Sequence, residues 1–357
     1  MSKRQTIFLL LSTVLPTSII YLPAVIYQEA AQDSWLSVIL VTPFGLIAGA
    51  VIAGLIIRFP EKTIIQYSEL IVGRIPGKII GLLYALFFLS INTFVIRHFG
   101  EIIVTMFMPE TPLSFFLIAL VATSAYAVRC GLEVLARANE VILPVILALL
   151  LLIVALISPE MQMKNFTPAL EKGMLPILKG TFLPAVFFAE VVVMVMLTPY
   201  MNKPQQAKGT IYWSVVIIGL FQLISTAAAI AVLGARMGRI QFPTIILARQ
   251  ISIAEMIERV EPFVMLIWVL GGIIKVGVFY YCCVLATAQW LKLKEYKALV
   301  LPVGVLLTVL SLVLWGDILE LANQRVQISP YYLSIEVGLT LLLLVIALLR
   351  RKGEDSR

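Results

Sequence analysis

Charge is scarce in this sequence: Asp, Glu, Lys and Arg make up 13% of its 357 residues, whereas hydrophobic residues make up 61%. A soluble domain usually has about 25% charged residues, so a water-soluble globular protein is excluded. The chain has one histidine, His98, and its three cysteines, Cys130, Cys282 and Cys283, have neither a disulfide nor a zinc spacing. The sequence therefore predicts a membrane protein with no metal site and no cofactor.

Motifs for enzymatic chemistry are also lacking. The sequence has no phosphate-binding glycine loop and no Ser/His/Asp or Cys/His set at a consistent depth. Its net charge of +7 is not concentrated on an aromatic soluble face, as nucleic-acid binding requires. We therefore expect neither an enzyme nor a nucleic-acid-binding protein, and we expect the lipid bilayer to be the main environment.

Long apolar runs account for nearly the whole chain. A helix needs about 20 residues to cross a bilayer, and ten runs of suitable length lie between polar breaks. The predicted fold is an all-α polytopic membrane protein with ten transmembrane helices in a single domain, 1–357. We number these spans 1 to 10: 6–27, 35–57, 78–107, 113–129, 134–157, 176–200, 210–234, 262–290, 298–315 and 328–349.

The loops between the spans predict a topology. Roughly twice as many Lys and Arg residues fall on the side that carries both termini, which predicts that the termini are cytoplasmic. Residues 61–74 on that side read as a short interfacial helix. On the other side, residues 236–261 combine apolar residues at helical spacing with charged ones, which predicts an extracytoplasmic amphipathic loop that packs on the membrane domain.

Prolines occur at corresponding places in spans 1 and 6, within Leu15-Pro16-Thr17-Ser18 and Phe182-Leu183-Pro184-Ala185. Proline removes a backbone donor and clashes with the carbonyl four residues earlier, so each span can split into two half-helices. Spans five apart start from opposite sides, which is the arrangement of an inverted repeat. We expect a five-plus-five fold with repeats 6–157 and 176–349, although a simple proline kink would also explain either site alone.

The proline in span 1 suggests a ligand site. Backbone amides after a helix break lie at the positive end of a half-helix, where a carboxylate is favoured, and this suits an amino acid. Aromatic residues near both breaks could line the apolar part of the pocket. The candidate binding residues are Pro16, Thr17, Ser18, Ile19, Tyr21, Tyr84, Phe187, Phe188 and Glu190.

Ionisable residues at membrane depth usually face a cavity or a partner. Arg97 and Glu101 are four residues apart on one helix face, which predicts a self-neutralising pair. Glu190 and Lys275 have no opposite charge within a helical turn, so we expect Lys275 to face the break in span 1 with Glu190 or Glu336 as its counter-charge. Structural alternatives are an interhelical ion pair for Lys275 and exposure at the outer interface for Glu336.

His98 neighbours Arg97 on another face of span 3. Because an imidazole titrates near neutral pH, it could handle a proton, although packing against neighbouring helices is the simpler expectation.

The run Phe242-Pro243-Thr244-Ile245-Ile246-Leu247-Ala248-Arg249-Gln250-Ile251-Ser252-Ile253, followed by Glu258-Arg259-Val260-Glu261, Trp268 and Ile273-Ile274-Lys275, resembles the spore germination permease family. Members of that family are the B subunits of germinant receptors in endospore-forming bacteria. The family is similar to the amino acid–polyamine–organocation transporters, which have a LeuT-like five-plus-five fold.

That resemblance implies a small-molecule site at spans 1 and 6. It also implies an A-subunit membrane protein and a C-subunit lipoprotein as partners in the spore inner membrane. Relatives that bind amino acids commonly have glycine where this chain has Pro16-Thr17-Ser18. Lys275 falls on a span that contributes to the sodium site of sodium-coupled relatives, so the resemblance implies that its ammonium replaces sodium.

Three functions are compatible with these features. The first is a germinant-sensing subunit whose ligand favours one conformation of the bundle over another. The second is a proton-coupled amino acid transporter in which the same site alternates between the two sides. The third is a scaffold that binds no ligand and only assembles the receptor.

Overall fold

A computed structural model describes residues 1–251 and 261–353. Within these ranges the chain folds into helices joined by short turns. In chain order they are α1 (Lys3–Ala30), α2 (Ser34–Ile56), α3 (Ile64–Val72), α4 (Arg74–Met106), α5 (Leu113–Cys130), α6 (Leu132–Ile157), α7 (Met174–Gly180), α8 (Phe182–Ala189), α9 (Met194–Leu197), α10 (Ala207–Leu233), α11 (Pro243–Gln250), α12 (Glu261–Trp290), α13 (Lys297–Val313), α14 (Ile318–Leu333) and α15 (Thr340–Leu349).

The helices have the length and composition of membrane spans. Helices satisfy their backbone hydrogen bonds internally, as a bilayer requires. Among the described residues, eight stretches are long and apolar enough to cross, and the first, Lys3–Ile56, contains both α1 and α2. Lys297–Val313 is a shorter apolar helix. The protein is thus an all-α, multi-pass membrane protein, as the composition predicted, whereas the count of ten crossings stays a prediction.

Loops gather at two ends of the bundle. At one end, which we call the terminal face, the Met1 ammonium donates to the Tyr200 carbonyl at 2.7 Å. The chain leaves this face in α1 and returns in α2, and the C-terminal end of α15 lies there too, since the Arg350 guanidinium donates to the Ile71 carbonyl. At the opposite face the Leu170 amide donates to the Asp33 carboxylate at 3.0 Å. This grouping of loops agrees with the alternation predicted from the apolar runs.

α1 and α12 lie side by side in the interior. α1 packs against α10, α12 and α6, and α12 packs against α4, α1 and α6. Their approach depends on Gly271, because a Cβ atom there would lie 2.6 Å from the ring of Pro16. One turn further along α12, the same closeness brings Lys275 beside Thr17.

α1 is continuous, which corrects the expectation that span 1 splits at Pro16 into two half-helices. Pro16 and Pro23 both lie inside the helix. Pro23 has no N–H to donate to the carbonyl of Ile19, four residues earlier. That carbonyl instead accepts hydrogen bonds from the Ser225 hydroxyl at 3.2 Å and the Thr244 hydroxyl at 2.8 Å. Neighbouring elements thus satisfy a backbone group that proline leaves free, as membrane helices allow.

Span 6 is interrupted twice: at Thr181, between α7 and α8 and directly before the predicted segment Phe182–Ala185, and again after Ala189. α8 ends at Ala189, and a 3₁₀ turn over Glu190–Val193 leads into the short helix α9. Pro184 lies in the first turn of α8, where a missing N–H is tolerated. The second interruption falls at Glu190, and a 3₁₀ stretch within a helix often marks a functional hinge or a strained sequence.

The last span begins earlier than predicted. α14 starts at Ile318, well before residue 328, and leads through a π-helical turn, Ser334–Leu339, into α15. Arg325, which the loop count placed outside the bundle, is therefore inside it and is 1% exposed. Within the predicted loop 236–261, the structure has a 3₁₀ turn at Gly234–Arg239 and the mostly buried α11, whereas residues 252–260 lie outside the described ranges.

Candidate functional site

A buried ion pair lies where α1, α12 and the interrupted span 6 meet. The ammonium Nζ of Lys275 is 2.7 Å from Oε2 of Glu190 and donates to Oγ1 of Thr17, also at 2.7 Å. The side chains of Lys275 and Glu190 are 0% and 1% exposed. The structure therefore pairs Lys275 with Glu190, one of the two counter-charges that the sequence offered, and places Thr17 against the same ammonium.

A second cation approaches Glu190 from α14. Nη2 of Arg325 is 3.7 Å from Oε1 of Glu190. The guanidinium carbon lies 4.8 Å from the ring centre of Phe187, 4.9 Å from that of Phe94 and 5.0 Å from that of Tyr332. Three aromatic rings thus surround a fully buried arginine, which favours the cation electrostatically.

Glu336 is the second buried carboxylate. It lies in the π-helical turn Ser334–Leu339 and is 0% exposed, so it does not reach the outer interface. Tyr84 supports this turn, since its hydroxyl contacts the Ile335 carbonyl at 3.2 Å and the Thr340 hydroxyl at 2.7 Å. The turn that carries Glu336 packs against the Glu190–Val193 turn and against α8, so Glu336 lies on the same side of the bundle as Glu190, Lys275 and Arg325. We call these four residues the central charge cluster.

The predicted amide site in span 1 is not present. Thr17, Ser18 and Ile19 lie inside the continuous helix α1 rather than at the start of a half-helix. The hydroxyls of Thr17 and Ser18 donate to the carbonyls of Val14 and Leu15, three residues earlier. In this structure, α1 contributes a side chain, that of Thr17, to the cluster, and Pro16 packs on Gly271 instead.

The predicted aromatic residues divide into two groups. Phe187 lies at the cluster, 5.5 Å from the Lys275 ammonium, and its ring centre is 6.4 Å from that of Tyr21. Phe188 points toward α2, since a Cβ on Gly45 would lie 2.8 Å from its ring. The structure thus brings Phe187 and Tyr21 toward the charges, whereas Tyr84 and Phe188 have supporting positions.

The charged residues of span 3 have structural partners. Nε of Arg97 is 2.8 Å from Oε1 of Glu101, which confirms the predicted pair, and its Nη1 donates to the Ser311 and Leu312 carbonyls near the end of α13. A cation is favourable at a helix C-terminus. The neighbouring His98 is 4% exposed and packs among aromatic rings, with the Tyr21 ring centre at 5.3 Å.

A cavity of about 590 Å³ opens on the face opposite the termini, with Tyr21 in its wall. It has the size of a small-molecule pocket. Its lining residues are Tyr21, Ala24, Val25, Gln28, Gly238, Arg239, Ile240, Gln241, Asn323 and Val326. We call it the vestibule.

The charges of the cluster are balanced. Two carboxylates and two cations make it formally neutral, which is how charge is usually carried inside an apolar bundle. The ion pair joins α12 to the interrupted span 6, whereas Arg325 and Glu336 belong to α14 and the following turn. Because an unpaired buried charge costs several kcal/mol, any movement between these elements changes the energy of the cluster. The arrangement can therefore distinguish two conformations of the bundle.

Arg325 is the cluster residue that the sequence reading missed. The predicted span 10 begins at residue 328 and therefore leaves Arg325 outside the helix. Buried positions nevertheless recur at spacings of three and four residues through this stretch and beyond it, at Leu321, Arg325, Ser329, Tyr332, Glu336, Thr340, Leu343 and Ala347. Extending the helical period of span 10 backwards from Glu336 would have placed Arg325 on the buried face.

The fold is that of known membrane transporters. A nucleobase-cation-symport-1 family transporter in a closed conformation with bromovinylhydantoin bound matches 99% of this chain and 79% of its own, with a TM-score of 0.73 and 12% identity. MhsT in complex with L-phenylalanine matches 96% of this chain and 88% of its own, with a TM-score of 0.68 and 14% identity. The protein therefore has a LeuT-like transporter fold.

Sequence relatives define the family. The profile of the spore germination protein family matches residues 1–314. Spore germination protein KB of Bacillus subtilis (strain 168) is 29% identical over 362 residues, which cover 99% of this chain and 96% of the relative. Spore germination protein YndE of the same organism is 26% identical over 356 residues, with coverages of 98% and 97%. The chain belongs to the spore germination protein family, as the resemblance indicated.

Proposed function

We propose that this protein is the germinant-binding transmembrane subunit of a spore germination receptor, and that its germinant is an amino acid. In this proposal it is a receptor rather than an enzyme, and it lies in the inner membrane of the spore with both termini in the cytoplasm. It signals to an A-subunit membrane protein and a C-subunit lipoprotein. Relatives named as spore germination proteins support the receptor assignment.

One observation carries the proposal: a buried carboxylate and two buried cations meet at the interruption of span 6. An amino acid brings one positive and one negative group, so it can exchange partners with such a cluster without leaving net charge in the bundle. MhsT, which has the same fold, was solved with L-phenylalanine, and this likeness of fold is compatible with an amino acid ligand.

Signalling requires two conformations with different affinities for the ligand. To move an equilibrium from 1:99 to 99:1, a ligand must bind the favoured state more tightly by about 5.5 kcal/mol. Removing one partner of a buried ion pair costs about 3–5 kcal/mol, so a change in the pairing of Glu190 with Lys275 and Arg325 would supply a large part of this difference. The partner subunits would respond to the resulting movement of α12 and span 6.

A proton-coupled amino acid transporter is the second candidate. The transporter fold and the buried carboxylate Glu190 favour it, since a buried carboxylate in a transport pathway can carry a proton. Sensing and transport can use the same site, and they differ in whether the ligand crosses the membrane.

The test is thermal stabilisation of the purified protein against a panel of amino acids, nucleosides and sugars. A ligand at 100 times its dissociation constant stabilises the protein by about 2.7 kcal/mol. We expect a selective shift with one or a few amino acids. A shift with sugars or nucleosides alone would contradict the amino acid assignment, and no shift with either the subunit or its complex with the A and C subunits would favour a scaffold.

Uptake of the radiolabelled ligand into liposomes then separates the two candidates. Binding without uptake supports a sensor, whereas uptake that a pH gradient drives supports the transporter. Co-purification with the A and C subunits tests the partnership.

A further inference from the structure

Two of the four buried charges lack hydrogen bonds. Lys275 and Glu190 satisfy each other at 2.7 Å. In contrast, Nε and Nη1 of Arg325 and both carboxylate oxygens of Glu336 are buried without a hydrogen-bond partner among the described residues. Buried polar groups are nearly always hydrogen-bonded, and exceptions call for an explanation. The unsatisfied groups here have opposite charges and lie in one continuous segment of the bundle.

The aromatic surroundings of Arg325 cannot satisfy its donors. The rings of Phe187, Phe94 and Tyr332 lie about the guanidinium carbon at 4.8 to 5.0 Å. Such contacts stabilise the charge, but N–H groups need acceptor oxygens. A carboxylate accepts two parallel hydrogen bonds from a guanidinium, which is the pairing that arginine favours. Arg325 is thus a buried cation whose Nε and Nη1 groups have no hydrogen-bond acceptor among the described residues.

Arg325 and Glu336 share one side of the segment formed by α14 and the π-helical turn. They are eleven residues apart, about 16 Å along a helix axis and close to the same angular position. The guanidinium lies beside the ring of Tyr332, so the arginine extends along α14 toward Glu336. The guanidinium is therefore closer to Glu336 than the separation of the two backbone positions indicates.

The vestibule lies beside the segment of α14 that carries Arg325. Val326, the next residue of α14, lines it together with Asn323, and Tyr21 forms part of its wall. The ring of Tyr21 lies 6.4 Å from that of Phe187, which itself contacts Arg325. The rings of Tyr21 and Phe187 thus connect the wall of the cavity of about 590 Å³ to the guanidinium. Arg239 also lines the vestibule and gives it a positive charge that attracts anions.

We infer that Arg325 binds the carboxylate of an α-amino acid and Glu336 binds its ammonium, and that the ligand enters from the vestibule past Tyr21. This inference rests on the proposed function and adds to it the two groups that recognise the ligand. It assigns the carboxylate to an arginine of α14, in place of the span 1 amides that the sequence suggested. It also assigns the Lys275–Glu190 pair to the conformational response rather than to direct contact with the ligand.

The experiment compares three forms of the amino acid that stabilises the purified protein. These are the amino acid, its primary amide, which lacks the carboxylate, and the corresponding carboxylic acid without the amino group. A hydrogen bond to a charged group contributes about 1.5–3 kcal/mol, so wild-type protein is expected to bind each analogue at least about tenfold more weakly than the amino acid. Equal affinity for the amino acid and its amide would overturn the inference without any variant.

Variants then assign each contact. Arg325→Gln is expected to abolish the preference for the amino acid over its amide, and Glu336→Gln is expected to abolish the preference over the acid without the amino group. Each variant should keep the other preference, which a general loss of structure would not produce. Arg97→Gln is the matched control, because Arg97 is a partly buried arginine paired with Glu101, and it should keep both preferences.

The outcomes separate the two proposals. If wild type binds no amino acid, the proposed function fails and this inference fails with it. If wild type binds an amino acid and Arg325→Gln keeps the full preference over the amide, only the inference fails. If Arg325→Gln does not fold, Arg325→Lys keeps the charge without the fork of donors, so it should reduce the preference for the amino acid over its amide, and an unchanged preference in that variant would overturn the assignment.

Discussion

Replacing Lys275 with methionine tests the central ion pair. The substitution keeps the length of the side chain but leaves Glu190, which is 1% exposed, without its partner at 2.7 Å. Removing one member of a buried pair costs about 3–5 kcal/mol. Nη2 of Arg325, at 3.7 Å, needs to move only about 1 Å to reach hydrogen-bonding distance. Because this new contact would partly replace the lost ion pair, we expect the free energy of unfolding to fall by about 3 kcal/mol, the lower limit of that range.

The assay is unfolding in mixed micelles by titration with sodium dodecyl sulfate, followed by the fluorescence of the five tryptophans. The double variant Lys275→Met with Glu190→Gln removes both charges, so it should be more stable than Lys275→Met alone. Lys208→Met is the control, since Lys208 is an exposed lysine, and it should change stability by less than about 0.5 kcal/mol. A loss below about 1 kcal/mol for Lys275→Met, or strictly additive losses in the double variant, would refute the reasoning.

Two further predictions concern the packing of α1. Gly271→Ala places a Cβ atom 2.6 Å from the ring of Pro16, so α1 and α12 must move apart. We expect the free energy of unfolding, measured by the same titration, to fall by about 1–3 kcal/mol. Thr244→Val removes one of two hydroxyls on the Ile19 carbonyl and should cost about 1 kcal/mol. Removing the second hydroxyl as well, with Ser225→Ala, should cost more than the sum of the single losses, because the carbonyl is then left without a partner.

Each of these predictions has a matched control. Gly338→Ala adds a Cβ atom with nothing within 4 Å, and Thr123→Val removes a hydroxyl that bonds only within its own exposed helix face. Both should leave stability nearly unchanged. If Gly271→Ala costs no more than Gly338→Ala, the close approach of α1 and α12 does not hold. If Thr244→Val lowers stability no more than Thr123→Val, the hydrogen bond from the Thr244 hydroxyl to the Ile19 carbonyl does not stabilise the fold.

The fold was largely predictable because its main determinant is local. Apolar runs of suitable length give helices in a bilayer whatever surrounds them, and the predicted break in span 6, Phe182–Ala185, directly follows the interruption at Thr181. Lys275 was recognised as a functional candidate because a lysine in the middle of an apolar span needs a partner. Such a residue is conspicuous in the sequence even before the partner is known.

The continuity of α1 could not be predicted from the sequence. Pro16 and Pro23 each remove a donor, but whether the helix then breaks depends on what surrounds it. Ser225 and Thr244, which complete the Ile19 carbonyl, lie more than two hundred residues away. Only the folded bundle brings them to α1.

Arg325 was missed for a different reason. An arginine among polar residues resembles a loop when hydropathy is averaged over a window. Its burial follows from a single helical stripe that passes through Tyr332 and Glu336, and from the rings of Phe94 and Phe187 that receive it. The helical spacing of Arg325, Tyr332 and Glu336 can be recognised in the sequence. The contacts with Phe94 and Phe187 cannot, because these two residues belong to other helices.

The most direct test of the account is germination of spores that carry the Glu190→Gln variant in place of the wild-type protein. The measurement is the loss of spore refractility against the concentration of the amino acid that stabilises the purified protein, at equal protein abundance in the spore membrane. The account predicts that the variant, in which a neutral amide replaces the carboxylate between Lys275 and Arg325, responds only at a much higher concentration or not at all. A dose–response curve identical to that of wild type would contradict the claim that this charge cluster transmits ligand binding.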